Sequence, residues 1–167
     1  MNNMWNPQFF RFEDDGSIPN NPSLAVIVYP AVFAENLQEI ETVFNSHDWT
    51  NSWTGGVFGY HHYHSNTHEV LGVRSGSATL QIGGEQGEAL PVAAGDVLLL
   101  PAGTGHKKLE ASGDFEIVGA YAGGVSYNLK TGEPGERPYV LEDIQHTPLP
   151  KLDPVFGNNG PVIERWT

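Results

Sequence analysis

Between residues 57 and 121 the chain alternates short apolar runs with glycine-rich turns, and this punctuation constrains the fold more than any other feature. Ser75-Gly76-Ser77 leads into 78–82, Gly83-Gly84 turns the chain again, and Pro91-Val92-Ala93 leads to Gly95. Residues 97–100 are wholly apolar, and after the turn at 102–105 come 106–109 and 115–121. Runs this short are strands rather than helices, and their near-regular spacing predicts an all-β, closed antiparallel sandwich. With 20 glycines and 12 prolines in 167 residues, a single β-rich domain is expected over 1–167, large enough to bury a core.

The flanks read differently. Residues 1–22 are an arm with aromatic residues but no sustained period, ending in the turn chemistry of EDDGSIPNNP. Residues 24–29 (LAVIVY) form a short buried strand that Pro30 ends. One N-terminal helix is expected over 34–46: Phe33, Leu37, Ile40, Val43 and Phe44 recur at helical spacing, with Glu35, Gln38, Glu39 and Glu41 on the other side. The polar stretch NSHDWTNSW closes it, so 24–47 is one strand plus one helix, and Gly55-Gly56 begins the barrel section 56–122. The proline-rich tail, 123–167, reads as irregular. It holds Tyr127, Tyr139, Leu149, Val155, Phe156 and Trp166, which need cover, so the tail is expected to drape over the barrel.

Charge narrows the partners. Eight basic residues against twenty acidic ones give a formal charge of −12, which argues against nucleic acid and anionic membrane as partners. The absence of cysteine excludes disulfides and thiolate metal sites and fits a reducing cytoplasm. Residues 1–20 carry only Arg11 as a base, and the longest apolar stretch, 24–33, contains Pro30, so neither a signal peptide nor a bilayer span is expected. Cytoplasm is the default location.

The chemistry concentrates in HHYHSNTHEV. His61, His62, His64, His68 and Glu69 lie within nine residues, and His106 follows in GDVLLLPAGTGHKKL, so five of the seven histidines fall in two patches. On a strand with period-two side chains, His62 and His64 share a face with Phe58 and Tyr60, while His61 and Tyr63 point the other way. Glu69 starts the next strand, whose face it shares with Leu71 and Val73, and can present a carboxylate beside the imidazoles. His68 is an alternative ligand if the turn shifts by one residue. His106 would have to reach the same point through the fold. Three histidines and one carboxylate suit Fe, Mn, Ni, Co or Zn as a divalent ion, with one or two positions open.

The segment GVFGYHHYHSNTHEVLGVRSG resembles the first cupin motif through Gly56, His62, His64, Glu69 and Gly76. GDVLLLPAGTGH resembles the second through Gly95, Pro101, Gly103 and His106; the family's following asparagine position is Glu110 here. The leading PNNP, the HHYHS-x2-HE-x2-G run and the late DPVFG are similar to the YjlB-like group of small single-domain cupins. The resemblance implies a jelly-roll barrel with a metal bound by His62, His64, Glu69 and His106.

Around that site Trp53, Phe58, Tyr60 and Tyr121 are the pocket candidates, with Phe58 expected in the core and Tyr60 in the pocket. Arg74, Lys107 and Lys108 are expected to be solvated. The scarcity of bases near the motifs argues against a phosphorylated substrate and for a small neutral or weakly anionic organic molecule. The reading that follows is a metal-dependent oxidoreductase, dioxygenase-like. Its alternatives are a metal-dependent isomerase or epimerase, a small-ligand-binding or sensing module without catalysis, and a metal-free site whose histidines act as acid and base. The arm residues Trp5, Phe9, Phe10 and Phe12 would cover either their own barrel or a neighbour, and a homodimer is expected.

Overall fold

A computed structural model describes residues 6–167. Nine strands run in chain order: β1 (Gln8–Phe10), β2 (Val26–Tyr29), β3 (Trp49–Gly55), β4 (Glu69–Ser75), β5 (Ser77–Ile82), β6 (Glu88–Ala93), β7 (Val97–Leu100), β8 (His106–Ala111) and β9 (Glu116–Ala122). They form a six-stranded sheet ordered β1-β2-β7-β4-β9-β3 and a three-stranded sheet ordered β6-β5-β8, all antiparallel. This is the jelly-roll sandwich that the glycine punctuation and the motifs imply.

The larger sheet is covered on both faces. Leu71, Val73, Leu98, Leu100 and Ile117 pack against Ala78, Leu80, Ile82, Leu90 and Val92 of the smaller sheet. Val70, Val97, Leu99, Val118 and Ala120 point the other way, onto helix α1 (Ile40–Ser46) and the tail residues Val162 and Trp166. A strand buried on both faces has no use for polar alternation, which is why β7 reads as four consecutive apolar residues. Gly95 turns the chain into β7 with φ +100°, and a Cβ there would lie 2.8 Å from the Ala34 backbone, so the turn demands glycine twice over.

Four local expectations change. The helix does not begin at residue 34: Phe33 N–H bonds Gly95 O at 2.9 Å, Asn36 is non-helical at φ −144°, and a 3-10 turn (Leu37–Glu39) precedes α1. The polar stretch NSHDWTNSW does more than close the helix: from Trp49 it is the edge strand β3, irregular because Asn51 takes φ +58° and the register shifts between Thr50 and Trp53. Residues 58–64 form no ladder strand; they carry isolated bridges at His62 and Tyr63. The tail also contains two short helices, α2 (Tyr139–His146) and α3 (Pro161–Arg165).

The tail does drape over the sandwich, and Asp153 of the DPVFG run holds it there. This carboxylate is 0 % exposed; Oδ1 accepts the N–H groups of Val155 and Phe156, and Oδ2 accepts Tyr29 O–H and Val162 N–H. Trp49 Nε1–H donates to Leu152 O, and Trp166 Nε1–H to Ala25 O. Tyr127, Tyr139 and Leu149 nevertheless stay exposed. The arm covers its own barrel: β1 pairs with β2, Phe10 and Phe12 pack into the inter-sheet core, and Phe9 joins the outer one. Trp5 lies outside the described residues. Among the described residues no helix is long and apolar enough to cross a membrane.

Candidate metal centre

Both sheets and the segment between them supply the cluster. Glu69, the first residue of β4, sits on the inner face of the larger sheet with Leu100 and Tyr121 as its cross-strand partners. His106 is the first residue of β8 in the smaller sheet. Residues 58–64 lie along β8: His62 and His106 exchange backbone bonds of 2.9 and 3.2 Å, Lys108 N–H bonds Phe58 O, and Gly103 N–H bonds His64 O. Side chains far apart in sequence thus meet at one end of the sandwich. Tyr63 points away from them and donates its hydroxyl to Glu136 Oε1 at 2.6 Å, and His61 meets Glu85 at 2.5 Å near the surface.

His64, Glu69 and His106 are buried and offer ligand atoms that all lie within 4.8 Å of one another. Glu69 Oε1 is 3.3 Å from His64 Nε2 and 3.4 Å from His106 Nε2. His62 stands beside them, its ring centroid 4.0 Å from that of His106, but is not part of the converging trio. Each of the three imidazoles has its Nδ1 against a backbone carbonyl: Tyr60 O for His62, Asn128 O for His64 and Thr104 O for His106. A carbonyl can only accept, so Nδ1 carries the hydrogen and the neutral ring keeps a bare lone pair at Nε2. Glu69 Oε1 is buried without a hydrogen-bond partner. Two lone pairs and an unpartnered carboxylate oxygen facing one point repel one another unless a cation lies between them, so the donor set fits a divalent metal.

Electrostatics agree. Burial holds His62 down at about 3, helped by the neighbouring His106. Burial also lowers His64, but Glu69 outweighs it and leaves the imidazole above its ordinary value. Burial raises Glu69, yet His106 and His64 hold it well below the usual carboxylate range. Burial, then the nearby Glu69 carboxylate, push Tyr121 well above the ordinary phenol value, so its hydroxyl stays protonated beside Glu69. The same hydroxyl accepts Trp53 Nε1–H at 2.9 Å.

His68, the alternative ligand, is not in the trio. Its Nδ1 accepts Ala102 N–H at 2.9 Å, its Nε2–H donates to Pro148 O at 3.1 Å, and its ring lies 4.9 Å from Trp166. With both nitrogens committed, it ties the barrel to the tail.

A cavity of about 280 Å³ opens over the cluster, walled by Trp53, Phe58, Leu71, Tyr121, Tyr127 and Leu129, and no lysine or arginine lines it. A larger groove of about 1020 Å³ between arm and tail includes His68 but none of the four motif ligands. Neither Phe58 nor Tyr60 takes its expected place, core for the first and pocket for the second. Phe58 is half exposed and lines the cavity; Tyr60 stacks on it at 5.0 Å and is not part of the wall. Their backbone leaves the ladder at this point, so strand parity does not apply. Sequence reasoning missed Leu129 and Asn128 and placed Tyr127 only as tail cover; nothing in a tail far from both motifs signals that it turns back to the site. Arg74 is a surface residue bonded to Glu116 at 2.7 and 3.0 Å, as expected.

Residues 50–118 match the family described as Cupin domain. The chain is 47% identical over 159 residues to "Uncharacterized protein YjlB" of Bacillus subtilis (strain 168), covering 95% of this chain and 96% of that protein. Among solved structures, acireductone dioxygenase from Bacillus anthracis with a cadmium ion in its active centre is 19% identical, with 54% of this chain and 60% of that chain covered and a TM-score of 0.36. A DUF861 family protein from Thermotoga maritima is 22% identical over 57% of this chain and 96% of that one, TM-score 0.36.

Proposed function

Since this chain belongs to the cupin superfamily, in the group of Bacillus subtilis YjlB, we propose that His64, Glu69 and His106, with His62 as a fourth ligand, hold a divalent transition-metal ion and that the protein is a dioxygenase-like oxidoreductase acting on a small organic molecule. The observation that carries this reading is the convergence of two bare Nε2 atoms and the unpartnered Glu69 Oε1 within 4.8 Å. A bound ion with an open position supplies Lewis-acid activation, and dioxygen chemistry where the ion is iron.

The chain's own residues set the rest. The carbonyls behind His62, His64 and His106 fix which nitrogen faces the ion. Tyr121 and Trp53 orient the Glu69 carboxylate. The aromatic wall keeps bulk water from the bound molecule and selects an uncharged, preferably flat body of a size that a cavity of about 280 Å³ accepts. With no base in that wall, a phosphorylated sugar has no partner for its charge, which disfavours the sugar-phosphate isomerase alternative.

Elemental mass spectrometry on protein purified without added metal, or tag-borne nickel, tests the ion. Oxygen uptake with small chelating molecules such as catechols and α-hydroxyketones tests the activity. Stoichiometric iron with substrate-dependent uptake supports the reading. Stoichiometric metal without turnover leaves a ligand-binding module in its place, and protein that takes up no metal sinks the site altogether.

A further inference from the structure

Resting on that metal reading, we infer that Asn128 is a positioning residue for His64, and that the segment 126–130 around it is a working part of the site. The segment lies beyond the 50–118 stretch that matches the Cupin domain family. Side chains alternate along it: Tyr127 and Leu129 line the cavity, while Asn128 turns to the fully buried Ser65.

The three imidazoles are not held alike. His62 and His106 donate Nδ1–H to the carbonyls of Tyr60 and Thr104, two residues away, so each is oriented by its own stretch of chain. His64 donates to Asn128 O, 64 positions downstream. Asn128 in turn is fixed by its side chain and its own N–H. Its Oδ1 accepts Ser65 N–H at 2.9 Å, its Nδ2–H donates to Ser65 Oγ at 2.9 Å, and its N–H donates to Asn66 Oδ1 at 3.1 Å. Two further ties close the join: Asn66 Nδ2–H to Ser126 O, and the paired backbone bonds of Tyr63 and Lys130, each 2.9 Å. The amide of Asn128 therefore sets where its carbonyl stands, and the carbonyl sets where His64 Nε2 points. The same anchoring fixes Tyr127 and Leu129 as the outer wall, so one segment governs both a ligand's aim and the cavity's shape.

Asn128→Ala and Asn128→Asp in the full chain test this, with Co(II) as the probe. Affinity is read by competition with a chelator, ligand geometry by the visible absorption of bound cobalt, and fold by thermal unfolding of metal-free protein. Asn128→Ala is expected to weaken Co(II) binding by about 10- to 100-fold and to shift the absorption. Asn128→Asp keeps the acceptor for Ser65 N–H and is expected to recover most of both; it carries the test if the alanine variant does not fold. Cobalt affinity and spectrum unchanged in both variants overturn the inference, even if thermal stability falls. An unmodified protein that binds no Co(II) overturns the metal reading itself, and this inference with it.

Discussion

Glu69 and Tyr121 are direct cross-strand partners on β4 and β9, and the tyrosine hydroxyl, which feels the carboxylate's charge, accepts Trp53 Nε1–H at 2.9 Å. The relay Trp53–Tyr121–Glu69 occupies the inner face of the larger sheet and aims an acidic oxygen at His64 and His106. Tyr121→Phe removes that bond and the hydroxyl beside the carboxylate, and leaves a partly buried indole N–H unpaired. The expected loss is about 1–3 kcal/mol in urea unfolding, with metal affinity roughly tenfold weaker in a chelator competition.

Gly119→Ala reaches the same relay without touching it chemically. A Cβ at 119 would lie 2.4 Å from Trp53 Cε2, and the indole has to shift. Overpacking of this kind costs about 1–3 kcal/mol. Metal affinity is expected to fall with it, although residue 119 offers no ligand; unchanged affinity would show that Trp53 does not orient Glu69.

Glu69→Gln keeps shape and removes charge. Three neutral imidazoles and an amide hold a divalent ion less well than three imidazoles and a carboxylate. The loss is expected to exceed the roughly 100-fold that follows removal of an outer partner. Elemental analysis of the purified variant should find substoichiometric metal in a protein that still unfolds cooperatively.

Protons compete with the ion at this site. Glu69 holds His64 above its ordinary value, so metal-free protein takes up a proton there as pH falls through that raised value, and metal binding has to release it. His62, held at about 3, stays neutral meanwhile. Affinity is therefore expected to be flat above the raised value and to drop by about tenfold per pH unit below it. Chelator competitions from pH 8 to 5, a range covering roughly the ordinary imidazole value, would show the break; a flat profile would remove His64 from the ligand set.

Asp153→Ala tests the tail. Four hydrogen bonds end on this buried carboxylate, and removing it takes this acceptor from Tyr29 O–H and three backbone N–H groups. The expected cost is about 3 kcal/mol or more in urea unfolding. A change below about 0.5 kcal/mol, the range of neutral surface substitutions, would mean the tail docks through Trp166 and Val162 alone.

The strands from β4 to β9 were legible because glycine turns and short apolar runs leave a chain few other options, and the motif ligands were legible because their spacing is local to two turns. The edge strand β3 was not. Its Asn51 and Ser52 read as part of a polar stretch that ends a helix, and only pairing with β9 makes that stretch a strand. Phe58 and Tyr60 were misplaced because period-two reasoning holds only inside a ladder, and residues 58–64 are held by isolated bridges to β8 and to the tail.

By itself the sequence determined the sandwich, through local turn chemistry, and its resemblance to the two cupin motifs implied the family and four candidate ligands. The tertiary structure decided the rest. It committed both nitrogens of His68 to Ala102 and Pro148, drew His64, Glu69 and His106 to one point, and set the tail's Asn128, Tyr127 and Leu129 around them. Those outcomes depend on contacts across tens of residues, and no local pattern encodes which distant carbonyl an imidazole will meet.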